Sequence, residues 1–421
     1  MTGGETGEDV KLDLRGQTTA AQMATLLEQY RSLRGHGATV RARVEDQPVR
    51  LYMSLLESGF RVVLERDDSG AVLQFRPDGS TPRSRAGAHS LVMHSAGRVY
   101  VNAADDRVAV LDAGSRKVLR HVGVGNAPQH LELSPDHERL YVANAGSNNV
   151  SVVDTASDTV SATSPTGARP LLPCATSEGT VFLSSGPEAT VTALDREGQV
   201  LATLPVGIAP GAISVSPDGQ WAYQPNSVTH NVTVIDARRR TVVGEVQVGL
   251  GPGHIAFSPD SRWAFVANTV SDTVSVVDVH NHELAGTIPA GAAAHLPLLS
   301  HDGRRGYVAD FGSDDLAVWD TASYEPLGRI AVGIYPHAFA ISPDDRWIVV
   351  SNTGESSVCI VDARQRRSVA RLEVGAGPSH VVFDPSGDCA FVACQLSNRV
   401  AVVEPARQRL VDLIDVATPA A

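Results

Sequence analysis

From residue 87 onward, short apolar runs alternate with polar punctuation, and within each run every second residue is apolar or β-branched. In Gly249 to Ala290, Ile255-Ala256-Phe257 reads as a first strand and Ser258-Pro259-Asp260-Ser261 as a turn. Trp263 to Ala267 reads as a second strand, Asn268 to Asp272 as a loop, Val274 to Asp278 as a third strand and Leu284 to Ile288 as a fourth. Period-two runs bounded by Pro, Asp, Gly and Asn are strand and turn chemistry. The unit recurs every 38 to 42 residues, beginning near Gly87, Gly125, Gly167, Gly207, Gly249, Gly291, Gly333 and Gly375. Its third strand is the easiest to follow: Val108 to Asp112, Val150 to Asp154, Val191 to Asp195, Val232 to Asp236, Val274 to Asp278, Leu316 to Asp320, Val358 to Asp362 and Val400 to Glu404. Four strands in each period of about 40 residues are the pattern of a β-propeller blade. The predicted fold class is therefore mainly β, an eight-bladed β-propeller over residues 88–421.

The best preserved copies read V-G-x-x-P-x-H, S-P-D-G, Y-V-A-N and V-S-V-V-D. With Tyr141-Val142-Ala143-Asn144 and Phe265-Val266-Ala267-Asn268, they resemble the YVTN family of β-propeller repeats. That family is functionally mixed, so the resemblance implies a fold more than an activity. Eight-bladed propellers of this sequence type include the haem d1 domain of cytochrome cd1 nitrite reductase and the d1-haem biosynthesis proteins, which the chain resembles at repeat level. No Cys-x-x-Cys-His occurs, which excludes a c-type haem.

Residues 1–78 follow another pattern. Val10 to Gly16 reads as a strand, Thr19 to Leu33 as an amphipathic helix and Ala38 to Val44 as a strand. Val49 to Ser58 reads as a second helix, and Phe60 to Glu65 and Ala71 to Phe75 as two more strands. This predicts a small two-layer α+β domain of βαβαββ order, followed by a linker over 79–87. Leu12-Asp13-Leu14-Arg15-Gly16 resembles the opening of TusA/SirA-like and DUF2249 domains, in which Cys-Pro follows. Gln17, Thr18, Thr19 and Ala20 stand there instead, so docking of a protein partner or cofactor delivery is expected rather than sulfur carriage.

In a propeller the first strand of each blade is innermost, and the loop leading into it lies at the mouth of the central channel. A histidine recurs at or beside the residue after the proline position of that loop in six of the eight copies: His89, His130, His254, His295, His337 and His380. On this reading the six imidazoles converge on one axis. Neutral imidazoles are good ligands for copper, iron or zinc, and a transition metal is the simplest reason to collect them. His130, His254 and His380 precede the next turn by four residues, whereas His295 and His337 precede theirs by five. Because one residue along a strand reverses the side chain, either the loops absorb the difference or the histidines form two tiers. The third and fourth copies carry Arg169-Pro170-Leu171 and Pro210-Gly211-Ala212 instead, and Arg169 suits a carboxylate or another anion.

The ends of the second strands, Asn102, Asn144, Asn268, Asp310, Asn352 and Cys394, are expected at the same mouth, with Cys394 a possible thiolate beside His380. His230 is a weaker extra candidate there. His94, His137, His280, His282 and His301 are assigned to turns elsewhere and expected to be solvated, and His36 and His121 carry no signal. The Ser-Pro-Asp turns and the aspartates closing the third strands are read as architecture. Neither a phosphate loop nor a Ser-His-Asp or His-Glu-x-x-His arrangement is apparent.

Charge narrows the partners. Asp and Glu outnumber Lys and Arg to give a net charge of −12, which argues against nucleic acid or an anionic membrane. Four cysteines are too few for a disulfide scaffold, and Cys389 and Cys394 fall on opposite faces of one strand. The polar N-terminus shows no secretory pattern, and a cytoplasmic location is the expectation. Function is read as a polyhistidine transition-metal centre, copper first and iron second, doing redox or Lewis-acid chemistry on a small-molecule substrate. Polyhistidine copper centres also occur at the propeller mouth of nitrous oxide reductase, a resemblance of site architecture and not of sequence words. The alternatives are a haem d1-type tetrapyrrole site with histidine axial ligands and Arg169 on a ring carboxylate, and a non-catalytic interaction scaffold.

Overall fold

The structure, a computed structural model, describes residues 10–15, 40–44, 61–67, 70–76 and 87–417. The chain divides into two compact units, Met1–Arg85 and Ala86–Ala421. In the first, β1 (Val10–Asp13), β2 (Val40–Val44), β3 (Arg61–Asp67) and β4 (Gly70–Arg76) form a sheet of order β1-β2-β4-β3. The β1–β2 pair is parallel and the other two are antiparallel. These strands fall where the sequence places them, while both expected helices and all of the linker but Gly87 lie outside the described residues.

The second unit is an eight-bladed β-propeller. Each blade is one antiparallel sheet of four consecutive strands, as in blade 5 with Pro252–Phe257, Trp263–Asn268, Thr273–Asp278 and Glu283–Pro289. The described residues contain a single 3-10 turn, Pro405–Arg407, and no α-helix.

The core lies between blades rather than within one, which is why the third strands read as nearly continuous apolar runs. In blade 5, Val274 and Val276 pack toward Ala294, Val308 and Ala317 of blade 6, whereas Val277 packs toward Tyr223, Val232 and Val234 of blade 4. At roughly 25 cal/mol per Å² of apolar surface buried, each interface of seven or more such side chains stabilises the ring far more than any one turn does.

The repeated sequence words have local causes. In the Ser-Pro-Asp turns the serine hydroxyl bridges the hairpin: Ser258 Oγ donates to Asp260 at 2.6 Å and accepts from the Trp263 N–H at 2.9 Å. Ser134, Ser216 and Ser342 repeat the arrangement. Asp154 and Asp320 accept two backbone N–H bonds each from the following turn, which holds their carboxyls below the usual carboxylate range. The glycine opening each repeat answers a close approach. A Cβ on Gly249 would stand 2.5 Å from Asn268 Nδ2 and 2.6 Å from Ser271 Oγ.

No strand is shared across the junction of blades 8 and 1. Leu91, Val101, Ala109 and Leu111 pack there against Phe391, Ala393, Val400 and Val402. Three hydrogen bonds accompany the packing: Ser379 Oγ to the His89 carbonyl (2.7 Å), Ala104 N–H to Asn398 Oδ1 (3.1 Å), and His121 Nε2 to the Val416 carbonyl (3.0 Å).

Candidate cofactor site at the channel mouth

The innermost strands deliver five of the six histidines, and His89 lies two residues before the sixth such strand, Leu91–His94. All six are brought together. Ring centroids of His89 lie 5.2 Å from His130, 6.2 Å from His337 and 6.4 Å from His380, and His130 lies 6.4 Å from His380. His295 links the rest, 4.4 Å from His254 and 5.5 Å from His337.

A β-bulge resolves the difference in spacing. In blades 6 and 7 the register passes from Ala294 to Leu296 and from Pro336 to Ala338, leaving His295 and His337 as the unpaired bulge residues. In blades 2 and 5 the skipped residues are Gln129 and Gly253, and His130 and His254 are paired, opposite Ala143 and Ala267. Two bulge residues oppose one on the partner strand, so alternation slips by one and both kinds of histidine reach the channel.

Each imidazole keeps some surface open to the channel yet is enclosed by protein. Burial pushes every one below its ordinary pKa: His254 and His380 to about 4, His337 to about 3, and His89, His130 and His295 downward, with repulsion from neighbouring histidines adding to the shift of all but His89 and His254. At neutral pH the set is uncharged and offers ring nitrogens as ligands. His337 Nδ1 lies 3.3 Å from the Ser379 carbonyl, which requires the proton on that nitrogen. The Nδ1 atoms of His89 and His130 are buried without a partner. Phe311 covers one side, its ring centroid 4.1 Å from His295 and 5.7 Å from His337. Among the described residues, no group of three or more His, Cys, Asp and Glu is drawn together closely enough to hold a metal ion.

The second-strand ends are not part of the mouth lining, contrary to the sequence reading. Asn102, Asn144, Asn268, Asp310, Asn352 and Cys394 are fully buried. Asn144 Nδ2, for instance, donates to Asn149 Oδ1 (2.8 Å) and Ser151 Oγ (3.0 Å); Asn102 instead spans two blades, its Oδ1 accepting from the His89 and Ser90 N–H groups and its Nδ2 donating to the Pro128 carbonyl of blade 2 (2.7 Å). Cys394 is fully buried with its Sγ 3.6 Å from the Val392 carbonyl, and burial raises its thiol to about 12. His230 proves to be a clasp between blades, its Nδ1 accepting from the Gly251 N–H at 3.1 Å. Asp106, Asp272 and Asp314 make the same bond in blades 1, 5 and 6. Elsewhere, His280 is exposed as expected, but His94 is buried at the end of its strand with Nε2 3.0 Å from the His137 carbonyl, and His282 meets the Tyr223 hydroxyl at 2.7 Å.

Sequence reasoning missed Glu132. It lies two residues beyond His130, hence on the same strand face. No side-chain hydrogen bond or ion pair is made by its carboxyl among the described residues, and burial raises it to about 8. Register places it level with Cys174 and Ser214, paired across from Tyr141, Phe182 and Tyr223. Ala256, Leu298, Ala340 and Val382 hold that level in blades 5 to 8. The wall beneath the histidines is thus polar on blades 2 to 4 and apolar on blades 5 to 8. The period-two count from His130 was the signal.

Around the rim, Arg169 is exposed at a left-handed backbone position on the loop entering blade 3. The loops of blades 4 and 5 carry four exposed apolar side chains, Ile208, Val228, Leu250 and Val270. Backbone bonds from Val228 to Ile208 and from Val270 to Leu250 hold them in pairs.

Comparisons with known proteins agree on the propeller. The family described as a seven-bladed β-propeller lactonase matches residues 213–368 and 335–419, the region of blades 4 to 8, although this chain has eight blades. Three solved structures are similar in fold. Dihydro-heme d1 dehydrogenase NirN in complex with DHE has a TM-score of 0.65 at 16% identity over 82% of this chain and 77% of that chain. Kuenenia stuttgartiensis hydrazine synthase has 0.56 at 22% over 66% and 95%. A chain of a mitotic checkpoint complex has 0.55 at 18% over 63% and 84%. No curated protein sequence matches the chain.

Proposed function

We propose that the channel mouth binds a metal-centred cofactor through neutral imidazoles, and that a haem-type tetrapyrrole suits it better than a bare ion. The observation that carries this reading is the set of six uncharged imidazoles in ring contact, with the Nδ1 atoms of His89 and His130 buried and unpartnered. Buried polar atoms without partners are costly, and a ligand is a common reason for them. A tetrapyrrole brings four of its metal's ligands and asks the protein for only one or two imidazoles, which matches a mouth where, among the described residues, no three donors stand close enough together to hold a metal ion. The exposed apolar side chains of blades 4 and 5 would lie against a flat apolar ring, and the exposed Arg169 of blade 3 would pair with a ring carboxylate. Such a group supplies one-electron redox or Lewis-acid chemistry toward a small-molecule substrate. The chain's own residues bind and orient it, and Glu132 offers a protonated carboxyl from the wall beneath. Likeness to NirN at 16% identity speaks for the fold alone.

A bare copper or iron ion is the second reading. Two imidazoles on one tetrahedral ion, at N–metal distances of about 2.0–2.1 Å, have ring centroids roughly 5 Å apart, close to the 5.2 Å between His89 and His130. Elemental analysis and a visible spectrum of untagged protein, purified as expressed and after haem addition, separate the readings. A Soret band that shifts on binding supports the tetrapyrrole. Bound copper or iron without that band supports the ion, and neither leaves an interaction scaffold, with the N-terminal unit as a second docking element.

A further inference from the structure

Blade 6 departs from its neighbours at one buried pair. In blades 2, 4, 5 and 7 the second strand ends in asparagine, whose Nδ2 donates to the residue opening the third strand. The four bonds are Asn144 to Asn149 Oδ1 (2.8 Å), Asn226 to Asn231 Oδ1 (2.9 Å), Asn268 to Thr273 Oγ1 (3.1 Å) and Asn352 to Ser357 Oγ (2.9 Å). Blade 6 places Asp310 and Asp315 at these two positions, directly paired in the hairpin register. Two carboxylates cannot supply the hydrogen bond that the amide supplies elsewhere. A proton on Asp310 restores it.

We propose that Asp310 holds a proton that it donates to Asp315, and that losing this proton loosens the hairpin over residues 310–315 and uncovers His295 and His337. Asp310 is fully buried. Burial first and the Asp315 charge second raise it to about 8, and burial raises Asp315 as well. The other groups facing the pair are the Gly291 backbone, the Ser313 hydroxyl 3.3 Å from Asp315 Oδ1, the nearby Asp314 charge and the Arg329 guanidinium 3.4 Å from Asp315 Oδ2. One guanidinium, half exposed, faces two carboxylates once the proton leaves.

The link to the mouth is covalent and short. Phe311 follows Asp310 and stacks on His295 and His337. Its N–H donates to the Ala293 carbonyl (3.2 Å) and that of Gly312 to Ala292 (2.8 Å), so hairpin, mouth loop and imidazole cover form one unit. In an opened, solvated hairpin a carboxyl titrates near 4. The closed form therefore loses its advantage as pH rises from about 4 toward about 8, and no further loss follows above that.

This inference rests on the mouth reading only in treating His295 and His337 as site residues, and its test needs no cofactor. The full chain is treated briefly with diethyl pyrocarbonate, which attacks neutral imidazole, between about pH 6 and about pH 9, and the modified peptides are quantified by mass spectrometry. Dividing modification at His295 and His337 by that at His130 cancels reagent decay, and all three folded-state imidazoles lie well below 6.5, so their own charge does not drive the ratio. The ratio should climb several-fold in the wild type. It should stay flat and low in Asp310→Asn, which installs the amide of blade 2, and in the double variant Asp310→Asn/Asp315→Ser, which installs the pair of blade 7. A flat ratio in the wild type, or an equal climb in Asp310→Asn, overturns the latch. Should the single variant fail to fold, the double variant decides. Failure to bind any cofactor would leave this result untouched.

Discussion

Blades 3 and 4 differ from the six histidine-bearing blades in how their innermost strands are held. Blades 2, 5, 6, 7 and 8 have six-residue inner strands and blade 1 has four, whereas those of blades 3 and 4 are reduced to Cys174–Ala175 and Ser214–Val215. Pro170 and Pro210 still pair, but only as isolated bridges to Ser185 and Asn226. The histidines therefore project from a hydrogen-bonded ladder, while the arc without them is lined by loop. A rigid ligating side and a more adaptable side, with Arg169 and the apolar rim nearby, is the division that the proposed site requires.

The largest effect is expected from removing imidazoles on the laddered side. Replacing His130, His254 and His380 together by Ala should reduce haem or metal binding to background, read by spectrum and elemental analysis, with the apo-protein's β-sheet content unchanged. The next effect follows from titration. The imidazoles have folded pKa values below the unfolded 6.5, so the unfolded chain binds more protons between there and about 4. Stability should be full above about pH 6.5 and fall as pH drops toward 4. Urea midpoints across that range should show a clearly shallower fall in the triple variant.

On the adaptable side, Arg169→Ala should weaken binding of a carboxylate-bearing ligand about tenfold, in keeping with roughly 1.5–3 kcal/mol for a charged hydrogen bond, while titrated binding of a carboxylate-free metal probe stays the same. Glu132→Gln works in the opposite sense to the histidines. A carboxyl raised to about 8 costs stability as pH rises from its unfolded 4.5, so the amide should melt higher than wild type at pH 8 and alike at pH 4. The smallest effect is expected from Ala212→His, which puts a seventh imidazole at the blade 4 position matching His130. Chemical denaturation should move by no more than about 0.5 kcal/mol, and diethyl pyrocarbonate should modify the new ring at the pace of His130.

The strands and the count of blades were legible because each repeat spells its own hairpins: Val274-Ser275-Val276-Val277-Asp278 cannot be mistaken for helix. The six histidines were legible by recurrence. What alternation could not settle was whether His295 and His337 face the way of His130, since a bulge adds a residue without leaving a mark in the sequence. Asn144 and its equivalents misled for a related reason: lying near the mouth along the chain does not set the direction of a side chain, and theirs close hairpins inside the blades. Glu132 was hidden by context, because a glutamate on an alternating strand ordinarily marks the solvent face. Asp310 reads as a conservative change from Asn until its partner five residues on is seen to be acidic too.

The junction of blades 8 and 1 has a consequence for assembly. With all four strands of blade 8 drawn from adjacent sequence, every sheet can form from contacts less than about 40 residues apart, which favours fast local folding. Ring closure is then a docking of two finished surfaces and not the threading of a distant strand. Mechanically the junction resembles the other seven but lacks a connecting peptide. A pull on residue 417 would be borne first by the outer strand of blade 8, Arg409–Asp415, whose removal costs one sheet before the load reaches the next.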